Sequence, residues 1–196
     1  MRTAGVKGRR PLVLLTVLRL ASPLLFVLLA TMPARAERID RVVVVVGERV
    51  VTAGDLALEE ALGERVGCPQ PVLCDPGRPL LERLVDMAVV RGLAGDAATY
   101  RPTPAEVEIR LSEVRDAFSP PSTWRDFLDR FGLTEDALAG LLFSRMVVER
   151  YVHRNVVLPT QAKGGDDEAC RLAWMDAIRA WRARTSVREV APLEAL

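Results

Sequence analysis

Val42 to Val46 is an unbroken run of valines, and a chain that carries it must cover both faces of one strand. β-Branched side chains are stiff at χ1 and pack well on a pleated surface, so the run favours strand over helix. Gly47-Glu48 follows, and then Arg49-Val50-Val51-Thr52. Strand formers on both sides of a Gly-containing pair predict a small hairpin over residues 41–52. A lone hairpin is marginal in water and needs further cover. At the other end of the chain, Val187-Arg188-Glu189-Val190 alternates as a short strand does. An edge strand there needs a partner, and the valine hairpin is the nearest candidate. The expected fold class is therefore mostly α, with a small N-terminal β-hairpin paired to a C-terminal strand.

Between these ends the pattern is helical. Thr52 followed by Asp55 reads as a capping box, with Leu56, Leu58 and Leu62 carrying a helix to Gly63. Residues 78–98 read as one long helix, apolar around more than half its circumference and hence central. Thr103, Pro104 and Glu106 form a second start signal. Val107, Leu111, Val114 and Phe118 then make a one-sided stripe that Pro120-Pro121 stops. A short helix from Ser122 carries Trp124, Phe127, Leu128 and Phe131 and ends at Gly132. Thr134 opens the next, running to about His153. Residues 159–167, with Gly164-Gly165, read as a polar linker. A last helix over residues 167–184 puts Cys170, Trp174, Ala177, Ile178 and Trp181 on one side.

Residues 1–36 have the parts of a secretory signal: a basic start, a short apolar centre, and a small-residue exit at Ala34-Arg35-Ala36. The rival reading is an uncleaved anchor. A spanning helix needs about 20 apolar residues, and this segment reaches that length only by burying Arg19, at a cost of about 2.5–3.5 kcal/mol. Cleavage after Ala36 and a periplasmic location are expected, with membrane contact only during export. The first 36 residues hold six basic and no acidic side chains, so their removal takes the net charge from +1 to −5. That balance argues against nucleic acid, which calls for a basic face.

Cys68 and Cys74 bracket a short Pro-containing loop, and in an oxidising compartment they are expected to form a disulfide. Cys170 is either a free thiol or a competitor for one of the pair. One His and no paired C-x-x-C leave no zinc site, and no phosphate-cradling glycine loop occurs. No cofactor and no metal are expected.

The order of parts resembles the SurA-type periplasmic chaperones, with their trigger-factor-like, peptide-binding helical domain. Residues 38–52 resemble that family's opening hairpin and cap. Leu81-Glu82-Arg83-Leu84-Val85-Asp86 resembles its "leucine, two polar residues, Leu-Ile-Asp" helix. Phe131-Gly132-Leu133-Thr134 resembles its break between helices, and residues 181–187 resemble its tail helix and closing strand. The resemblance spans about residues 38–190. Typical members insert one or two parvulin prolyl isomerase domains before the tail, each of about 90–100 residues, far beyond a median loop. Here only residues 159–167 stand in that place, and the single His153 lacks the paired histidines of a parvulin site. Gly164-Gly165-Asp166 is similar to a glycine-rich parvulin motif, but without a site around it.

The resemblance implies an ATP-independent holdase rather than an enzyme, with unfolded outer-membrane or secreted polypeptides as partners. Two alternatives are an accessory subunit for a single partner and a prolyl isomerase relative with residual activity. The candidate client-facing residues are Phe118, Trp124, Phe143 and Met146, since rings supply area and thioethers adapt in shape. The bland reading is core, and it is stronger for Trp124, Phe127 and Phe131, which share one helical face. His153 reads as a solvated cation near a helix C-terminus. Asp166-Asp167-Glu168 read as helix-start acids. An exposed valine strand also allows pairing with a second copy.

Overall fold

The computed structural model describes residues 40–66 and 69–190; the segment read as an export signal and Cys68 lie outside the described residues. β1 (Val42–Val46) and β2 (Arg49–Thr52) form an antiparallel hairpin, with Val46 opposite Arg49 and Val45 opposite Val50. Gly47 has φ +58° and no described non-glycine residue has positive φ. The two-residue turn is thus of the II′ kind, which takes Gly at its first central position because its twist matches the strands.

β3 (Val187–Glu189) pairs antiparallel with the other side of β1, Val46 opposite Val187 and Val44 opposite Glu189. The sheet order is β2-β1-β3. The valine run is its centre, with Val43, Val44 and Val46 buried. The Gly47 N–H donates to Ser186 O and the Val190 N–H to Val43 O, each at 2.8 Å. Residues 187–190 therefore close on the hairpin, as their alternation predicts, and the fold is mostly α around this small sheet.

Each helix starts where its cap dictates. At α1 (Ala53–Gly63) the Thr52 hydroxyl accepts from the Asp55 N–H at 3.1 Å, and the Asp55 carboxylate accepts from the Thr52 N–H at 2.9 Å. α3 (Pro104–Asp116) repeats this with Thr103 and Glu106. α4 (Pro121–Phe131) ends on Gly132 at φ +64°. Two expectations need correction. The long helix is shorter than residues 78–98: α2 is Leu80–Ala94, stopped by Gly95 at φ +51°, and Ala98–Tyr100 forms a separate 3-10 turn. Arg78 stands ahead of the helix, because Pro79 occupies the cap.

The linker over residues 159–167 is helical at its start, up to Gln161, and only residues 162–166 are non-helical. α5 (Glu135–Val152) passes through a π turn at His153–Val157 into α6 (Leu158–Gln161). Pro159 has no N–H to give the Asn155 carbonyl, and in a regular helix its ring would collide with it. The wider π turn just ahead relieves that conflict, and the Leu158 N–H donates to His153 O instead. The chain then stops in a Schellman arrangement: the Gly165 N–H donates to Thr160 O at 3.0 Å and the Gly164 N–H to Gln161 O at 2.9 Å. Asp166 caps α7 (Asp167–Arg182) by accepting from the Ala169 N–H. Gly164-Gly165-Asp166 is thus a helix stop followed by a helix start. A Cβ on Gly165 would meet Thr160 Cγ2 at 2.7 Å and Thr160 O at 3.0 Å. Gly165→Ala is expected to cost about 1–3 kcal/mol in denaturant unfolding; an unchanged midpoint would show that the turn has room to spare.

Two apolar cores result. The first joins the sheet to α2, the end of α5, the π turn and α7, through Val44, Val89, Val90, Val152, Trp174 and Ile178 among others. The second gathers α3, α4, the end of α1 and the start of α5 around Val114, Phe127 and Leu138. α5 runs through both. Asp86 is the one buried charged residue among those described. It accepts from Arg78 Nη1 and from Arg182 Nε, while Arg182 Nη2 donates to Glu82 O at 2.9 Å. This ionic cluster fastens α7 to α2.

Candidate functional site

Where the two cores meet, the packing leaves an open cleft of about 230 Å³ between β2, α1, α2 and α5. Leu58 and Leu62 come from α1, Leu84, Met87 and Ala88 from α2, Leu138, Leu141 and Leu142 from α5, and Val50 and Val51 from β2. Val51 belongs to the first core; Leu62, Leu138 and Leu142 belong to the second. Leu141 and Val50 stay 42% and 50% exposed at its mouth. Single exposed apolar residues are ordinary; here two of them flank a contiguous apolar hollow, which makes it the candidate place for an apolar side chain to dock.

Charged residues stand at both ends. On one side Arg145 bridges Glu59 at 3.1 Å and Glu149 at 3.6 Å. Burial pushes both carboxyls upward, against the pull of Arg145 on Glu59 and of Arg110 and Arg145 on Glu149. A carboxyl raised on folding binds its proton more tightly in the folded chain. Its contribution to stability is complete below the ordinary value of 4.5 and is lost as pH rises through the raised folded value. The Tm advantage of the parent over Glu59→Gln is therefore expected to shrink as pH rises above 4.5 in thermal scans. A growing advantage would reverse the assigned direction. On the other side lie Arg49 and Arg91. The pKa of Arg49 is lowered, first by burial and then by the charge of Arg91.

The residues singled out in the sequence lie elsewhere. Phe118 and Trp124 are buried in the second core, 5.3 Å apart ring to ring, with Phe127 packed on both. The chain reverses at Pro120 and folds α4 back onto the end of α3, which turns the helix-end Phe118 inward. Met146 is buried too, and Phe143 is half-buried. Phe118, Trp124 and Met146 therefore form no open surface, and none of the four lines the cleft, whose apolar wall is made by the leucines and Met87. His153 is exposed, as expected of a solvated group, but the helix continues past it into the π turn, so it does not stand at a helix C-terminus. Cys74 is disulfide-bonded, while Cys170 is a free, buried thiol and so no competitor for that bond.

No protein-family model and no curated protein matches this chain. The cleft must be read from its own chemistry. Among the described residues its lining contains no His and no Cys, and one hydroxyl, that of Ser144. The acids Asp55 and Glu59 are engaged, one in the α1 cap and the other with Arg145. Such a hollow suits apolar side chains held by shape and burial. Leu141 and Leu142 do belong to the apolar pattern of their helix, yet that pattern gives no sign that both face a gap between cores.

Proposed function

We propose that this chain is an ATP-independent holdase of the periplasm, binding unfolded outer-membrane or secreted polypeptides, in keeping with the SurA-like order of its parts. The observation that carries the reading is the apolar cleft held open between two cores, with Leu141 and Val50 exposed at its lips. Met87 and the leucines supply a surface that adapts to many side chains. Covering apolar surface returns about 25 cal/mol per Å². The cost of ordering a flexible client removes much of that gain and leaves weak, releasable binding, which a holdase needs. A basic, apolar leader with a small-residue exit and a disulfide-bonded Cys74 both favour an exported protein.

The test is light scattering of several unrelated unfolding proteins with the purified chain added. Suppression at stoichiometric amounts is expected for all of them. Leu141→Asp should weaken suppression several-fold while changing stability by about 0.5 kcal/mol or less, because the side chain is already partly in water. Tight capture of one protein with no general suppression would favour the single-partner accessory subunit instead.

A further inference from the structure

We infer that the client segment is bound as an added strand: an extended polypeptide pairs with the free edge of β2, seats alternate apolar side chains in the cleft, and sets an acidic side chain against Arg49 and Arg91. The inference rests on the client-binding reading and specifies its mode. Among the described residues β2 pairs only with β1, so one of its edges is unpaired. Arg49, Val50 and Val51 all line the cleft. Consecutive strand residues point to opposite faces, so a hollow touched by all three must run along the strand's edge.

The hairpin register sets which backbone groups are offered. With a two-residue turn, Val46 and Arg49 are the closing hydrogen-bonded pair, so the next position, Val50, turns its N–H and C=O away from β1. Val50 is half exposed. Proteins usually blunt such an edge with Pro, a bulge or Lys. β2 has neither Pro nor Lys, and the hairpin's irregularity falls at its far end, between Val42 and Val44 of β1.

The arginines choose the occupant. Among the described residues Arg49 makes no salt bridge within 4 Å; Arg91 meets Asp96 at 3.9 Å, largely exposed, and donates to Gly95 O at 2.6 Å, and the charge of Asp96 also acts on Arg49. The buried Nε of Arg91 has no hydrogen-bond partner. Asp96 offsets the repulsion between the two cations only in part, since it stays 84% exposed and 3.9 Å from Arg91, so a second carboxylate at this end of the cleft would relieve it further. A second copy pairing through its own β2 would bring Arg49-Val50-Val51-Thr52, which contains no acid. An extended client segment with apolar residues at alternate positions and an Asp or Glu at one end fits both the edge and the charge.

The test uses the purified chain and a fluorescent ten-residue peptide of alternating valine and threonine ending in glutamate, followed by anisotropy. Two N-methylated versions carry the methyl groups on one or the other alternate set of amides. In a strand pairing only one set faces β2, so one version is expected to lose affinity by about tenfold or more while the other stays within about twofold. Replacing the glutamate with lysine should weaken binding to the parent, and Arg49→Glu should restore preference for the lysine peptide. Equal binding of both methylated versions would overturn strand addition, while intact aggregation suppression would leave the holdase reading standing. No peptide binding with suppression intact would likewise overturn it, by placing clients elsewhere. Loss of both would remove both readings. A dimer in sedimentation that Val50→Pro dissociates would place a second copy on the edge and also overturn the inference.

Discussion

Asp86→Ala is expected to lower Tm by about 6–12 °C. Asp86 is buried between α2 and α7 and accepts from both Arg78 and Arg182. Removing one member of a buried ionic group costs about 3–5 kcal/mol, mainly because the remaining charge is left without a partner. The side chain of Arg78 is 12% exposed and keeps Glu82 at 3.0 Å, and that of Arg182 is 31% exposed and keeps Glu82 O at 2.9 Å. Water can therefore reach Arg182, which puts the cost at the lower end, about 3 kcal/mol. For a domain of this size each kcal/mol moves Tm by about 2–4 °C. Burial itself pushes the Asp86 carboxyl upward, against the pull of Arg182 and Arg78. The cluster therefore specifies where α7 sits more than it adds net stability. A double-mutant cycle with Arg182→Leu separates the two contributions, and a Tm within about 2 °C of the parent in Asp86→Ala would contradict the account.

Trp174→Ala should be at least as damaging. Trp174 is 2% exposed, lies in the first core and meets Trp181 edge-to-face at 6.1 Å. Emptying such a site costs about 3–5 kcal/mol, a large share of the about 5–15 kcal/mol that holds a typical domain together. The consequence is specific, because α7 carries β3 to its place. Loosening α7 should free β3, bare the backbone groups of Val43 and Val45 that face it, and speed amide exchange at Val45 before the second core responds. It should also promote self-association through the bared valine strand. Global unfolding with no early exposure of β1, seen by exchange and mass spectrometry, would show that the tail is not a separate latch.

What could be read from the sequence was local or repetitive. The valine run and the alternation at 187–190 each mark a strand, and only two such patterns needed partners, so the closure of the sheet followed. Thr52 with Asp55, and Thr103 with Glu106, are neighbours three positions apart whose geometry is set within one helical turn. Pro159 and Gly164-Gly165 were visible as punctuation. A π turn lets a helix run on up to and through a proline, however, so the stop came later than a regular helix allows.

The site was hidden because it depends on distance in sequence. Asp86 reads as an ordinary helix acid, and its partner Arg182 is 96 residues away. Leu141 and Leu142 are adjacent in one apolar pattern, yet one is exposed at the cleft mouth and the other is buried. That difference is set by where α1 and α2 fall short of α5, which no periodicity encodes. Phe118 misled for the same reason: the proline turn that promised exposure instead sets Trp124 and Phe127 of α4 against its ring, while the burial of Trp124 is what its shared face with Phe127 and Phe131 predicts.

Hydrogen–deuterium exchange of the purified chain, with and without an unfolded client, tests the central claim most directly. Slowed exchange is predicted in β2, in α1 and α2 beside the cleft, and in the first half of α5, with α3, α4 and the outer edge of β3 unchanged. Protection centred on α3 and α4, with β2 and α2 unaffected, would contradict the claim that the cleft between the two cores is where this protein holds its clients.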